Sequence, residues 1–314
     1  MWGVRDKRTI RDYGRQILGG RQAIPRLLSL FSEREMACTW ATVGLLMCAD
    51  RDELLESIPT MKPRYGEPKL SPYEDLSQLG RDEEQDPYHY GLSLVERIRA
   101  APRQEIGTHT FSHFYCLEQG GTVEAFAADL AAARAVAQRR GLSLSSIAFP
   151  RNQMTPAHIK ACHDAGVTTY RGNENIWFHA ARPDRGNTLL VRGFRLADSY
   201  IPIGGAQAPK PALDGGLVNV PASRFLRPAA LAPLEAIRLR RITSAMSAAA
   251  RNGGVFHLWW HPHNFGANTE ANFAFLTLIC DHFATLAGRY GMRSLTMKEV
   301  AAETLNGTRG PAHQ

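Results

Sequence analysis

Glu105-Ile106-Gly107-Thr108-His109-Thr110-Phe111-Ser112-His113 is a short apolar run that delivers two histidines four residues apart, with hydroxyl side chains before and between them. A backbone that turns helical at His109 would put both imidazoles on one face. Two neutral imidazoles side by side suit a zinc-type ion, with a third ligand brought from elsewhere. Thr110 stands where a zincin has its glutamate base, so the pair is not the metalloprotease motif. Alone, this spacing is common in surface and packing histidines, and the surroundings decide what it means.

The chain has 314 residues, enough for one large α/β unit or two domains, and it is 44% hydrophobic and 21% charged, as in ordinary globular proteins. It lacks any run of about 18 apolar residues, so no membrane span is expected, and its start has no apolar signal core. The net charge is +7, and the first 26 residues supply +5 of it: seven Lys/Arg against Asp6 and Asp12. Those acids and Trp2-Gly3 argue against a transit peptide. The absence of an aromatic-basic platform argues against nucleic acid. Residues 1–20 therefore read as a solvated basic segment, with contact to an anionic glycan as the other possibility. Five cysteines (38, 48, 116, 162, 280), an odd number without a C-x-x-C pair, indicate reduced thiols and a cytoplasmic location. Cys116, three residues past His113, could be a ligand, although a buried thiol is the commoner case.

Periodicity predicts a helix over 21–34, with Ile24, Leu27, Leu28 and Phe31 on its apolar face and Pro25 in its first turn, then a buried strand over 36–43. Helix then strand is half of a βαβ unit, and its first strand should precede residue 21. It is missing, because residues 1–20 are too charged for a buried parallel strand. Further helices are expected over 92–101, 122–140, 155–165, 233–252 and 269–290, with a closing one near Lys298. Strands are expected over 104–108, 145–149, 167–170, 189–195, 255–260 and 292–295. Residues 58–90 and 172–222 read as insertions, and 306–314 as a disordered tail. The alternation predicts one (β/α) barrel domain over 21–305.

In such barrels functional groups sit at the C-terminal ends of strands. Four ends carry them: His109/His113, Phe149-Pro150-Arg151-Asn152-Gln153, Tyr170-Arg171-Gly172-Asn173, and Trp259-Trp260-His261-Pro262-His263-Asn264. Four on successive strands are hard to explain as packing.

Over roughly residues 21–300 the chain resembles the polysaccharide deacetylases with the NodB homology domain, carbohydrate esterase family 4. Ala37-Cys38-Thr39-Trp40-Ala41-Thr42-Val43-Gly44 is similar to that family's early strand. The stretch around His109 and His113 looks like its metal-binding H-[ST]-x-x-H motif. Ile147-Ala148-Phe149-Pro150-Arg151-Asn152 resembles the segment with its active-site arginine, and Leu258-Trp259-Trp260-His261-Pro262 lies where its late catalytic histidine is expected.

The resemblance implies a distorted (β/α) barrel and metal-assisted removal of an N- or O-acetyl group from a sugar or polysaccharide, in a surface-polysaccharide or glycolipid pathway. His109, His113 and an aspartate would hold a divalent ion, zinc foremost, with cobalt or nickel also compatible. A second aspartate would be the base. His261 would protonate the leaving amine, with His263 as its fallback, and Arg151 would orient the carboxylate base. Asn152, Arg171 and Asp198 are weaker supporting candidates. Trp259 and Trp260 could stack on a sugar ring, or belong to the core.

The departure is at the start. The family carries its acids on the first strand, in one subgroup just before a Trp-Gly, and here Trp2-Gly3 follows Met1 directly. The expectation is that the acid-bearing strand belongs upstream of Met1; the rival is that Asp6 or Asp12 replaces those acids. Two other functions stay open: hydrolysis of a non-sugar, allantoin-like amide on the same fold, and a glycan-binding or regulatory barrel without catalysis. The oligomeric state is not indicated.

Overall fold

The computed structural model describes residues 1–314 except 75, 175, 202, 206, 207, 230, 231 and 309–314. The first helix, α1 (Ile10–Glu33), begins at Ile10 rather than near Arg21. Its start is a capping box: Thr9 N–H donates to Asp12 Oδ1 at 2.6 Å and Asp12 N–H to Thr9 Oγ1 at 3.4 Å. Pro25 therefore lies inside the helix rather than in its first turn. Ile24, Leu27 and Phe31 are buried on one face, as the spacing predicted; Ala23 joins them, and Leu28 is only partly buried. Residues 1–20 are not wholly solvated either, since Met1 and Trp2 are buried.

The strand after α1 is β1 (Cys38–Thr42), which pairs in parallel with β2 (Gln104–Thr108), Trp40 opposite Ile106 and Thr42 opposite Thr108. Parallel pairing continues through β3 (Ser146–Ile147), β4 (Thr169–Tyr170) and β6 (Leu217–Asn219), with β5 (Ala212–Asp214) antiparallel on the far edge. A separate parallel pair joins β7 (Arg224–Phe225) to β8 (Leu258–Trp259). The architecture is thus mixed α/β with a largely parallel sheet, but the expected barrel is not closed: no described strand pairs β1 to β8. Phe31 of α1 bridges the gap from outside, against Trp40 at 6.3 Å and Trp260 at 6.2 Å. Beneath it is a cavity of about 730 Å³.

Other elements include α2 (Arg51–Glu56), α3 (Leu92–Ala100), α4 (Val123–Arg139, capped by Thr122) and α5 (Pro156–Asp164). The strand expected over 189–195 is a helix, α6 (Leu189–Asp198). A short run such as Leu-Leu-Val-Arg does not distinguish strand from helix, and Thr188 decides it by capping Val191 N–H. Chain order continues with α7 (Ala232–Asn252), α8 (Thr269–Tyr290) and α9 (Met297–Thr308). Residues 292–295 are not a strand. They are tied down singly, Ser294 to the backbone of Ala37 and to Arg103. By length and composition α8 could cross a membrane, contrary to the sequence expectation, yet Phe273, Phe275, Leu276, Ile279 and Cys280 are buried in the core. Helix α9 runs into the expected tail as far as Thr308; the remainder lies outside the described residues.

The 58–90 insertion is ordered by its own polar contacts. Glu83 pairs with Arg21, Asp86 with His89 at 2.9 Å, and Tyr65 Oη accepts Tyr115 N–H at 2.8 Å.

Candidate active site

Past β2 the chain does not turn helical. Thr110 and His113 have φ of 65° and 61°, a region non-glycine residues rarely occupy. Buried Asp129 on α4 holds the turn by accepting from Phe111 N–H at 2.7 Å and from Ser112. Thr110 contributes on both sides, its N–H donating to Thr108 Oγ1 at 3.0 Å and its Oγ1 accepting Phe114 N–H at 2.7 Å. The hydroxyls flanking the histidines are therefore scaffold. The two rings still meet, with centroids 4.8 Å apart.

His109 Nδ1 faces the Ala148 carbonyl at 2.6 Å, and a carbonyl requires a donor, so the proton is on Nδ1 and the Nε2 lone pair is left free. His113 Nδ1 is buried without a hydrogen-bond partner, and Gly3 packs against the ring's other side, where a Cβ would stand 3.3 Å from Nε2. Both rings are held neutral. Burial, and then the charge of Arg171, pushes His109 down to about 3. Burial, His109 and Arg151 push His113 well below its ordinary value.

After β3, Arg151 and Asn152 also take positive φ, 53° and 55°. Of seven non-glycine residues with positive φ among those described, four (Thr110, His113, Arg151, Asn152) belong to these two turns. Such strain gathers where function over-determines the backbone. The Arg151 guanidinium is bonded to Asp6 and lies over the Tyr115 ring at 4.1 Å, with Glu118 and Asp184 at 3.8 and 3.9 Å. Tyr115 Oη also donates to Asp6, at 3.3 Å. Of the two acids weighed as replacements, Asp6 is thus at the site, whereas Asp12 is spent on the exposed cap of α1.

After β4, Arg171 donates to Asn152 Oδ1 at 2.7 Å and stacks over Trp259 at 4.1 Å. Its Nε is buried without a partner, and among the described residues no carboxylate pairs with it. After β8, the His261 side chain is exposed to the cavity, while the protein packed around that cavity and the charge of Arg171 push it down to about 4. His263 stacks on His261 at 5.0 Å and meets Tyr13 at 5.5 Å. Trp260 packs against Phe31 and Phe265, as a core residue.

Asp198 stands apart. Arg224 and Arg241 donate to it at 3.1 and 3.2 Å, and Arg224 also donates to Glu174 at 2.8 Å. Glu174, His179 and Asp198 form the one described cluster of three potential metal ligands. Guanidinium groups already occupy its carboxylate oxygens, so its contacts are those of a buried ion network. His109 and His113 find no third ligand within reach among the described residues. Tyr115 and Glu118 were not anticipated at the site, since nothing in their local sequence marks them; Gly3 stood out only as part of Trp2-Gly3.

No protein-family model and no curated protein sequence matches the chain. Among solved structures, it is similar to a protein from Mycobacterium smegmatis whose polysaccharide deacetylase assignment is itself provisional. The match has a TM-score of 0.58 and 14% identity, over 96% of this chain and 82% of that one. The likeness is one of fold. A weaker match is the 4-alpha-glucanotransferase of Thermococcus litoralis, with a TM-score of 0.45 and 12% identity over 89% of this chain and 35% of that one.

Proposed function

We propose that this chain is a metal-dependent hydrolase that removes the N-acetyl, or O-acetyl, group of a sugar or polysaccharide, working in the cytoplasm on a distorted barrel of the deacetylase type. The observation that carries this is the pair His109 and His113: two neutral imidazoles 4.8 Å apart, at the C-terminal end of a parallel strand. The chemistry of the donors fits a zinc-type ion, because the Nε2 of His109 is oriented by a carbonyl behind it and the Nδ1 of His113 is buried without a partner. When bound, such an ion supplies Lewis-acid polarisation of the acetyl carbonyl and acidifies water.

The protein's own groups divide the remaining work. Arg151 holds Asp6 by a charge-assisted bond and fixes its direction, as an orienting partner for a carboxylate base should. His261 would exchange a proton with the leaving nitrogen, with His263 stacked against it. Near neutral pH it has no proton to give, because burial and Arg171 hold it at about 4.

The test is zinc content together with acetate release from N-acetylglucosamine oligomers. One zinc per chain, lost in His109→Ala with the fold retained, and zinc-dependent acetate release support the proposal. A chain that binds these oligomers with no metal and releases no acetate is instead a glycan-binding barrel, a second reading favoured by the lack of a third ligand among the described residues.

A further inference from the structure

The apolar side chains left in water on this molecule are not scattered evenly. Of fourteen large apolar residues exposed among those described, six (Trp177, Leu189, Leu190, Leu196, Ile201 and Ile203) fall between positions 177 and 203, around α6. Leu189 is 83% exposed, more than any of the others. Single exposed apolar residues need no explanation, but a concentrated set marks an interaction surface.

The helix that carries them is firmly seated, so their exposure is not the fraying of a loose segment. Val191 is buried, Phe194 stacks on Phe178 with centroids 6.0 Å apart, and Arg195 Nε donates to the Phe178 carbonyl at 2.6 Å. At the C-terminal end Asp198 is held by Arg224 and Arg241. These contacts use one side of α6. Leu189, Gly193 and Leu196, at i, i+4 and i+7, line the other, and nothing stands within 4 Å of where a Gly193 Cβ would be. Both flanks extend this face. Trp177 packs on Phe194 at 5.2 Å, and Ile201 follows the last turn, its N–H donating to the Ala197 carbonyl at 2.8 Å.

Charge and shape select the occupant. Between Ile176 and Ile203 the only carboxylates are Asp184 and Asp198. Asp184 is bonded to Lys7 at 2.8 Å, and Asp198 is buried between arginines. Arg185 and Arg192 are exposed and make no ion pair among the described residues. The surface therefore sets free cations among apolar side chains, which complements something apolar and anionic together. It also protrudes, since none of the six residues lines either of the two described cavities. The anchoring side chains of a protein partner would find no such pocket to fill. A bilayer needs none: it yields around Leu, Ile and Trp and draws arginine to its phosphates.

We propose that the outward face of α6, with Trp177 and Ile201, is an interfacial docking surface for an anionic lipid bilayer, on which the chain lies without spanning it. The same segment borders the candidate site: Asp184 is 3.9 Å from Arg151, and its N–H donates to Glu118 at 2.7 Å. Docking brings that rim to the level of the headgroups. The surface rests on exposure and charge, independently of the hydrolase reading.

The test is flotation of the full chain with vesicles of phosphatidylcholine containing about one-third phosphatidylserine, against phosphatidylcholine alone. Binding to the anionic vesicles should be at least about tenfold tighter and should weaken with added salt. A net charge of +7 could produce that much by itself. Leu189→Gln with Leu196→Gln isolates the face, because both positions are exposed and glutamine keeps the helix propensity. The double variant should bind at least about tenfold more weakly with its urea midpoint unchanged. Lipids brominated in their acyl chains should quench tryptophan fluorescence of the unmodified chain, and quench it less in Trp177→Phe. Should the double variant unfold, that difference in quenching carries the test. Absence of flotation, equal flotation of a folded double variant, or quenching that Trp177→Phe leaves unchanged overturns the proposal. So does a stable dimer in sedimentation that the double variant breaks, which would assign the face to a second copy of the chain.

Discussion

Asp6 and Arg151 form the most informative contact at the residue scale, because it ties the first turn of the chain to the end of β3 across 145 positions. The Asp6 side chain is 2% exposed and that of Arg151 16%, so the pair is largely removed from water. Removing one partner of such a pair strands the other charge, and Asp6→Asn should cost about 3 kcal/mol in urea unfolding. The double substitution Asp6→Asn with Arg151→Met should recover part of that loss. A cost near zero would mean the pair is solvated. The histidines, Arg151 and Arg171 were legible in sequence because each follows an apolar strand. Asp6 was only weakly so: a carboxylate in a basic segment looks solvated until the fold brings Arg151 to it. Trp260 was ambiguous for the opposite reason, since an aromatic at a strand end serves a core as readily as a sugar.

At the scale of elements, close approach separates glycines that matter from one that does not. Gly19 of α1 abuts the loop after β8, where an added Cβ would stand 2.4 Å from the Gly266 carbonyl oxygen and 2.6 Å from its Cα. Backbone cannot yield as a side-chain tip can, so Gly19→Ala should destabilise by about 1–3 kcal/mol. Gly193 of α6 has open space around it, and Gly193→Ala should stabilise by about 0.5–1 kcal/mol through backbone entropy. Thermal or urea midpoints check both, and a neutral Gly19→Ala would deny that α1 is clamped on the loop carrying His263. Helix cores and the strands β1 and β2 were readable from apolar spacing. The start of α1 was not, because its capping box uses Asp12 in place of Glu or Gln and sits in a charged stretch. Segment 189–195 was misread because its apolar run is short, although its spacing does follow the helical period, and Leu189 and Leu190 remain exposed.

For the whole molecule, half-buried histidines set the response to acid. His179 and His257 are each pushed down to about 4, by burial first and then by nearby arginines. Unfolded, they titrate near 6.5. Between those values the unfolded chain binds more protons than the folded one, so stability is full above about pH 6.5 and falls as pH drops toward 4. Unfolding midpoints measured across that range with chelator present should decline toward acid, and His257→Gln should flatten the slope. The alternation of helices and strands was legible beforehand and led to the expectation of a barrel, whereas the described strands form two separate sheets. What the sequence could not show is that the gap keeps its shape, held apart by α1, with an unpaired strand edge on either side.

The measurement that bears most directly on the central claim is zinc-dependent acetate release from N-acetylglucosamine oligomers by the full chain, compared with its His109→Ala form. One zinc per chain is predicted, with release abolished by chelation and lowered at least about 100-fold in His109→Ala, as expected for loss of a metal ligand. Zinc bound equally well without His109, or acetate released at the same rate after chelation, would contradict it.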